Sequence, residues 1–188
     1  MFGELPKTAG WRHRDAREGF EVVFIRTEGA GWRFDGHTTA VEGGQPWSVR
    51  YQITVDQRWH TRAADVWSWA ESGQSHRTLR SDGSGQWELD GVHLPLLDGC
   101  LDVDLEASAC TNTFPVHRLA AVPDVEQDAP AAYVRVAELT VERLEQRYTN
   151  RGPGIYDYEA PVFGFACQLR YDGSGLVVDY PGIAARAH

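Results

Sequence analysis

The chain has 188 residues, 42% of them hydrophobic, enough for one domain over residues 1–188 with a sizeable core. Its formal charge is −9 and its basic residues are scattered, which argues against a nucleic-acid partner and against docking on anionic lipid. Cys100, Cys110 and Cys167 make no disulfide framework, and no apolar run suits a signal peptide or a membrane span, so a cytoplasmic protein is expected.

Strand signals begin at residues 20–25 (FEVVFI), a β-branched and aromatic run. Gly29-Ala30-Gly31 turns the chain back into the alternating residues 32–35, and residues 42–46 (EGGQP) form the next turn. Residues 47–56 are the clearest strand, with Val49, Tyr51, Ile53 and Val55 on one face and Arg50, Gln52, Thr54 and Asp56 on the other. Further strand-like runs start at Trp59 and at Val66, then at Ser75 and Trp87. Residues 131–148 open as a strand (YVRV), but Ala137, Val141, Leu144 and Tyr148 also fit a helical stripe, and periodicity does not decide. Phe163, Phe165, Cys167, Leu169 and Tyr171 alternate strictly, and residues 176–180 form the last predicted strand, stopped by Pro181-Gly182. DGSG occurs at Asp82 and again at Asp172, each suited to a tight hairpin. Short strands, frequent turns and little secure helix point to an antiparallel all-β domain. Trp32, Trp47, Tyr51, Trp67, Trp87, Phe163 and Phe165 are placed on the apolar faces of its strands.

The chemistry concentrates in residues 97–119, LDGCLDVDLEASACTNTFPVHRL. Asp102 and Asp104 are two apart, so in a strand both carboxylates share one face. Like charges side by side need water, a cation or a proton. Arg118 is the nearest cation in sequence, and Thr111, Asn112 and Thr113 suit a turn that ties the backbone between them. The same two carboxylates could serve a glycoside or ester hydrolase, which is the alternative reading. Ser108 and Cys110 lack a nucleophile-elbow context, and His93, Cys100 and Cys110 lack metal-ligand spacing, so neither a metal nor a cofactor is expected. Trp47, Trp59 and Trp87 each start or end a strand near polar neighbours, which makes them pocket candidates as well as core residues.

The whole chain resembles the bacterial glycolipid-binding family once catalogued as a domain of unknown function. The strongest match is a D-x-D strand followed by a TNT-x-P-[IV]-x-R-L turn, carried here by Asp102, Asp104, Thr111, Asn112, Thr113, Pro115, Arg118 and Leu119. Residues 51–59 (YQITVDQRW), the G-x-W-x-x-DG run at 85–91, residues 146–149 (QRYT) and the ending GLVVDYPG at 175–182 support it. Ala109, Cys110 and His117 depart from a pattern that usually has proline, phenylalanine and a second arginine. If that arginine touches ligand, His117 weakens the contact or makes it sensitive to pH. The resemblance implies a single curved antiparallel sheet, a half-barrel similar to lipoprotein carriers, that binds a lipid, glycolipid or other amphipathic molecule without catalysis. Arg118, Asn112, Asp102 and Asp104 would meet the polar head, with Trp47, Trp59, Trp87 and Phe114 on the apolar side. An open sheet of this kind also leaves edges along which two copies can pair.

Overall fold

The computed structural model describes every residue except Met1, Ala16, Ala120, Ala121, Ala137 and His188. The chain opens with β1 (Thr8–His13), β2 (Glu18–Glu28), β3 (Gly31–Glu42), β4 (Gln45–Val55), β5 (Thr61–Ala70) and β6 (Gly73–Ser81). Two short strands follow, β7 (Trp87–Leu89) and β8 (Val92–His93). The middle holds β9 (Asp102–Leu105), a 3-10 turn at Cys110–Asn112, helix α1 (Thr113–Arg118), β10 (Glu126–Asp128), β11 (Ala131–Val134) and β12 (Val141–Leu144). Five strands complete it: β13 (Arg147–Gly152), β14 (Ile155–Ala160), β15 (Phe165–Tyr171), β16 (Val177–Tyr180) and β17 (Ala184–Arg186).

Fourteen strands form one sheet in the order β10-β13-β14-β15-β16-β17-β1-β2-β3-β4-β5-β6-β7-β8. Every pairing in it is antiparallel, and β1 pairs with β17, so the two ends of the described chain meet inside the sheet. The edge strands β10 and β8 do not pair with each other, so the sheet is a curved half-barrel and not a closed one. Strand twist accumulates over such a width, and register shifts near Thr54/Val55, Asn150/Gly152 and Arg170/Tyr171 bend it further. Both edges are short, and β10 reads Glu-Gln-Asp, features that discourage edge-to-edge pairing.

A second sheet, β12-β11-β9, adds what the sequence reading lacked, and its β9–β11 pair is parallel. The segment 131–148 therefore holds β11, β12 and the start of β13, with no helix among its described residues. Leu139 sits in the turn between β11 and β12 at φ 50°, a backbone conformation that ends any helical stripe. Ala137, the first member of that stripe, lies outside the described residues.

This small sheet docks on the concave face of the large one. Strand β2 shows how the sequence arranges it. Glu21, Val23 and Ile25 are buried on the inner face, and Phe20, Val22 and Phe24 are exposed on the outer face. Val23, Phe34, Val49, Ile53 and Val66 of the long strands share one core with Val103, Leu105, Phe114 and Val134 of the central segment. Polar side chains fix the register of the two layers. Thr38 Oγ1 donates to the Ala107 carbonyl at 2.9 Å, and Ser68 Oγ to the Val136 carbonyl at 2.8 Å. Trp87 Nε1 donates to the Cys100 carbonyl at 2.8 Å, and Thr61 Oγ1 accepts from the Val103 amide at 3.1 Å. Buried backbone groups without a strand partner need such acceptors and donors.

The centre of this docking is Glu21. Its Oε1 accepts from the Tyr51 hydroxyl at 2.5 Å and from the Ser108 hydroxyl, and its Oε2 accepts from the Ala109 amide at 2.8 Å. Burial pushes the Glu21 carboxyl up, and these hydrogen bonds oppose the shift. Tyr51 reaches Glu21 because its ring lies across Gly36, its cross-strand partner, where an added Cβ would stand 1.9 Å from Cζ.

Trp67 departs from expectation. Ala64, Val66 and Ser68 take the inner face of β5, with the Ser68 hydroxyl needed there, so Trp67 turns outward to stack on His76 at 4.6 Å. Phe163 belongs to a 3-10 turn, Pro161–Phe163, and not to β15. The two DGSG segments form the same local turn: Asp82 Oδ1 accepts from the Ser84 and Gln86 amides, and Asp172 Oδ1 from those of Ser174 and Leu176.

Glu21→Ala leaves the Ala109 N–H and the Tyr51 and Ser108 hydroxyls without their acceptor, and Gly36→Ala displaces the Tyr51 ring. Each variant is expected to lose about 1–3 kcal/mol for every donor or acceptor left unpaired. Urea denaturation checks this, and an unchanged midpoint in both would remove Glu21 from the docking.

Candidate functional site

The central segment fills most of the concave face and leaves a cavity of about 260 Å³ against the C-terminal strands. Asp104, Leu105, Glu106, Ser108, Asn112, Tyr133, Arg135 and Leu144 form one wall. Tyr158, Ala160, Phe163, Phe165, Tyr180, Ile183 and Arg17 form the other. A recess of about 550 Å³ at the far end of β4 is lined by loop residues such as Asp56, Arg58 and Asp82 and by Arg62 of β5, with no tyrosine, phenylalanine or tryptophan among its described residues.

Strand alternation builds the aromatic wall. In β14, Tyr156, Tyr158 and Ala160 face inward. Ala160 pairs with Phe165 across the ladder, and so small a residue leaves room beside that ring. Tyr158 and Tyr180 meet edge to face at 5.9 Å, and Phe165 lies 6.1 Å from Tyr180. Tyr133 and Phe163 stand 5.5 Å apart, with the Arg135 guanidinium 5.5 Å and 5.4 Å from their ring centres. Phe163, which lines the cavity, is 43% exposed and its neighbour Val162 71%, so an apolar surface adjoins the cavity.

The polar groups come from the central segment. Asp104 Oδ1 accepts from Thr111 Oγ1 at 2.7 Å, and its Oδ2 from Gln146 Nε2 at 3.3 Å. Burial pushes its carboxyl up to about 6, the Asp102 charge adds to the shift, and the hydrogen bonds from Thr111 and Gln146 oppose it. Asn112 Oδ1 accepts from the Tyr148 hydroxyl at 2.9 Å. Glu106 accepts from the Val136 amide at 2.8 Å and lies 3.7 Å from Arg135. Arg17 donates from Nη1 to the Glu106 carbonyl at 3.1 Å and lies over Trp47 at 5.4 Å.

Of the residues that the sequence reading assigns to a ligand, Asp104 and Asn112 line the cavity. Asp102 and Arg118 stand beside it and answer each other: Nη2 reaches Oδ2 at 2.5 Å and Nε reaches Oδ1 at 3.3 Å. Burial pushes the Asp102 carboxyl up, and the Arg118 charge opposes that. Trp47 is buried behind Arg17. Trp59, Trp87 and Phe114 are core residues away from the cavity: Trp59 lies between Trp32 and His117, Phe114 packs edge-on to Phe34, and Trp87 is fully buried. His117, the departure from the family pattern, donates from Nε2 to the Ser174 carbonyl at 3.0 Å and stacks on Trp59 at 3.7 Å, outside the cavity lining.

Tyr133, Tyr158, Tyr180, Glu106, Arg135 and Arg17 are lining residues that the sequence reading did not single out. The alternation in IYDYEA at 155–160 carried a signal for Tyr158, and a glutamate between Phe20 and Val22 marked Glu21 as a charge on a buried face. Nothing local marks Arg17, which the fold brings there from the β1–β2 connection.

The architecture is a β half-barrel whose concave face is covered by its own central segment, with one small aromatic recess. The chain belongs to the family described as "Putative glycolipid-binding", which it matches over residues 8–186. It is similar to the crystal structure of a DUF1089 family protein from Pseudomonas aeruginosa, with 33% sequence identity and a TM-score of 0.78 over 88% of this chain and 91% of that one. No curated protein matches it. Among the described residues, no helix is long and apolar enough to cross a membrane.

Asp104 ties stability to pH. Its folded pKa lies above its unfolded value, so between about pH 4 and 6 the folded protein holds the extra proton and stability falls as pH rises. His13 and His117, both lowered to about 4 chiefly by burial, act oppositely in that window, so the difference between wild type and variant isolates Asp104. Asp104→Asn is expected to flatten the fall and to raise the denaturation midpoint at neutral pH. A midpoint lowered at every pH would contradict this. Arg118→Ala leaves Asp102 buried and unpaired, and is expected to lose roughly 3–5 kcal/mol in the same assay.

Proposed function

We propose that the protein binds the polar head of an amphipathic molecule, a glycolipid or a relative of one, and does not transform it. The cavity carries this reading. Its 260 Å³ falls below the roughly 300–1,000 Å³ of pockets for drug-sized ligands. That space suits one ring and not an acyl chain. Flat aromatic faces beside Asp104, Asn112 and Glu106 offer what a sugar presents, a C–H face and a rim of hydroxyls. The acyl chain would leave over Phe163 and Val162, because the central segment occupies the rest of the concave face. This revises the expectation that Trp47, Trp59, Trp87 and Phe114 meet the apolar part of the ligand.

The same geometry favours binding over hydrolysis by an Asp102/Asp104 pair. Arg118 occupies both oxygens of Asp102, which is 1% exposed and outside the cavity lining. Membership of the "Putative glycolipid-binding" family agrees with the binding reading.

Native mass spectrometry of the purified protein, with an organic extract of the same sample, tests the proposal. A discrete adduct recovered as an amphipathic molecule is expected, together with its loss in Ala160→Met, which fills the recess. A bare mass, with no binding of octyl glucoside in a calorimetric titration, would overturn it.

A further inference from the structure

Resting on that reading, the cavity also defines the charge of the head. We infer that the ligand carries an acidic group, a carboxylate or phosphate, held by Arg17, beside hydroxyls held by Asp104. Two charged side chains line this cavity without a close ion pair among the described residues. Asp104 has no cation in ion-pair range among the described residues. Arg17 is the stronger case. Its side chain is 7% exposed, yet among the described residues it makes one hydrogen bond, to the Glu106 carbonyl, and its buried Nε has no hydrogen-bond partner. That Nε has Glu42 only in a long ion pair at 3.9 Å, on a side chain that is 45% exposed, so the rest of the fork has no carboxylate in range among the described residues. Five N–H donors in a fixed fork are too many for one carbonyl.

Arg135 differs, because Glu142 at 2.7 Å and Glu106 at 3.7 Å already neutralise it. Packing on Trp47 also holds the Arg17 guanidinium in place. A carboxylate or phosphate matches the guanidinium fork with paired, charge-assisted hydrogen bonds. A neutral hydroxyl could take one of them and would leave the buried charge with only the long Glu42 contact. Asp104, an acceptor when ionised, would then take ring hydroxyls and set the orientation.

The test compares octyl glucoside, octyl glucuronide and octyl glucoside 6-phosphate, each below its critical micelle concentration, by calorimetric titration at pH 7.5. Ring and tail are shared, so the acidic group is the variable. Wild type is expected to bind one or both acidic glycosides about tenfold or more tightly than the glucoside. Whichever is favoured tells carboxylate from phosphate. Arg17→Met is expected to bring that ratio close to one, and Arg17→Lys to keep part of it, since lysine retains the charge without the fork. Equal affinities in wild type would overturn the acidic head while leaving head-group binding in place, and this comparison needs no variant to fold. A preference that survives in Arg17→Met would remove Arg17 from the site. No binding of any of the three would overturn the proposed function and this inference together.

Discussion

The structure depends on one buried carboxylate. Glu21 stands on the inner face of β2, where strand alternation leads one to expect a hydrocarbon side chain, and it gathers the Tyr51 and Ser108 hydroxyls and the Ala109 amide. Without those partners a buried acid would cost several kcal/mol. With them it fixes where the central segment lies on the sheet. The hydrogen bonds of Thr38, Thr61, Ser68 and Trp87 to the same segment hold its position on either side of that contact.

Docking of the central segment changes what a half-barrel can do. An empty concave face would hold a long acyl chain. Here that face is largely core, and the remaining recess opens at the far side, between Asp104 and the tyrosines of β14 and β16. The residues that shape the recess are not the ones that stabilise it best. Asp104 is held in a setting that raises its pKa, and Arg17 has more donors than partners. Groups left in such states are a recurrent mark of binding sites, where local cost is offset by the surrounding fold.

Much of the large sheet was legible because β2 to β5 are long and partly exposed, so period-2 patterning showed through FEVVFI and WSVRYQITVD. The Asp102–Arg118 pair was legible from charge and spacing alone. The second sheet was not, because β9 and β11, though each read as a strand, are buried throughout and pair in parallel across a long connection that no local turn marks. Trp67 was misplaced because an aromatic residue is normally the inward member of a strand pair, and here the Ser68 hydroxyl is needed inside. At the site, Asp104 and Asn112 could be named because they sit in one dense motif. Arg17, Tyr133, Tyr158 and Tyr180 come from four separate segments, and only the folded chain brings them together.

The central claim is that ligand enters the recess and leaves the covered concave face undisturbed. Backbone amide shifts recorded by NMR during titration with octyl glucoside test it most directly. The account predicts that the largest changes fall at Asp104, Asn112, Tyr158, Ala160 and Tyr180, with Thr38, Val49, Ile53 and Val66 unmoved. Changes spread along β3 to β5 would mean that the central segment lifts from the sheet to admit the ligand, and would contradict it.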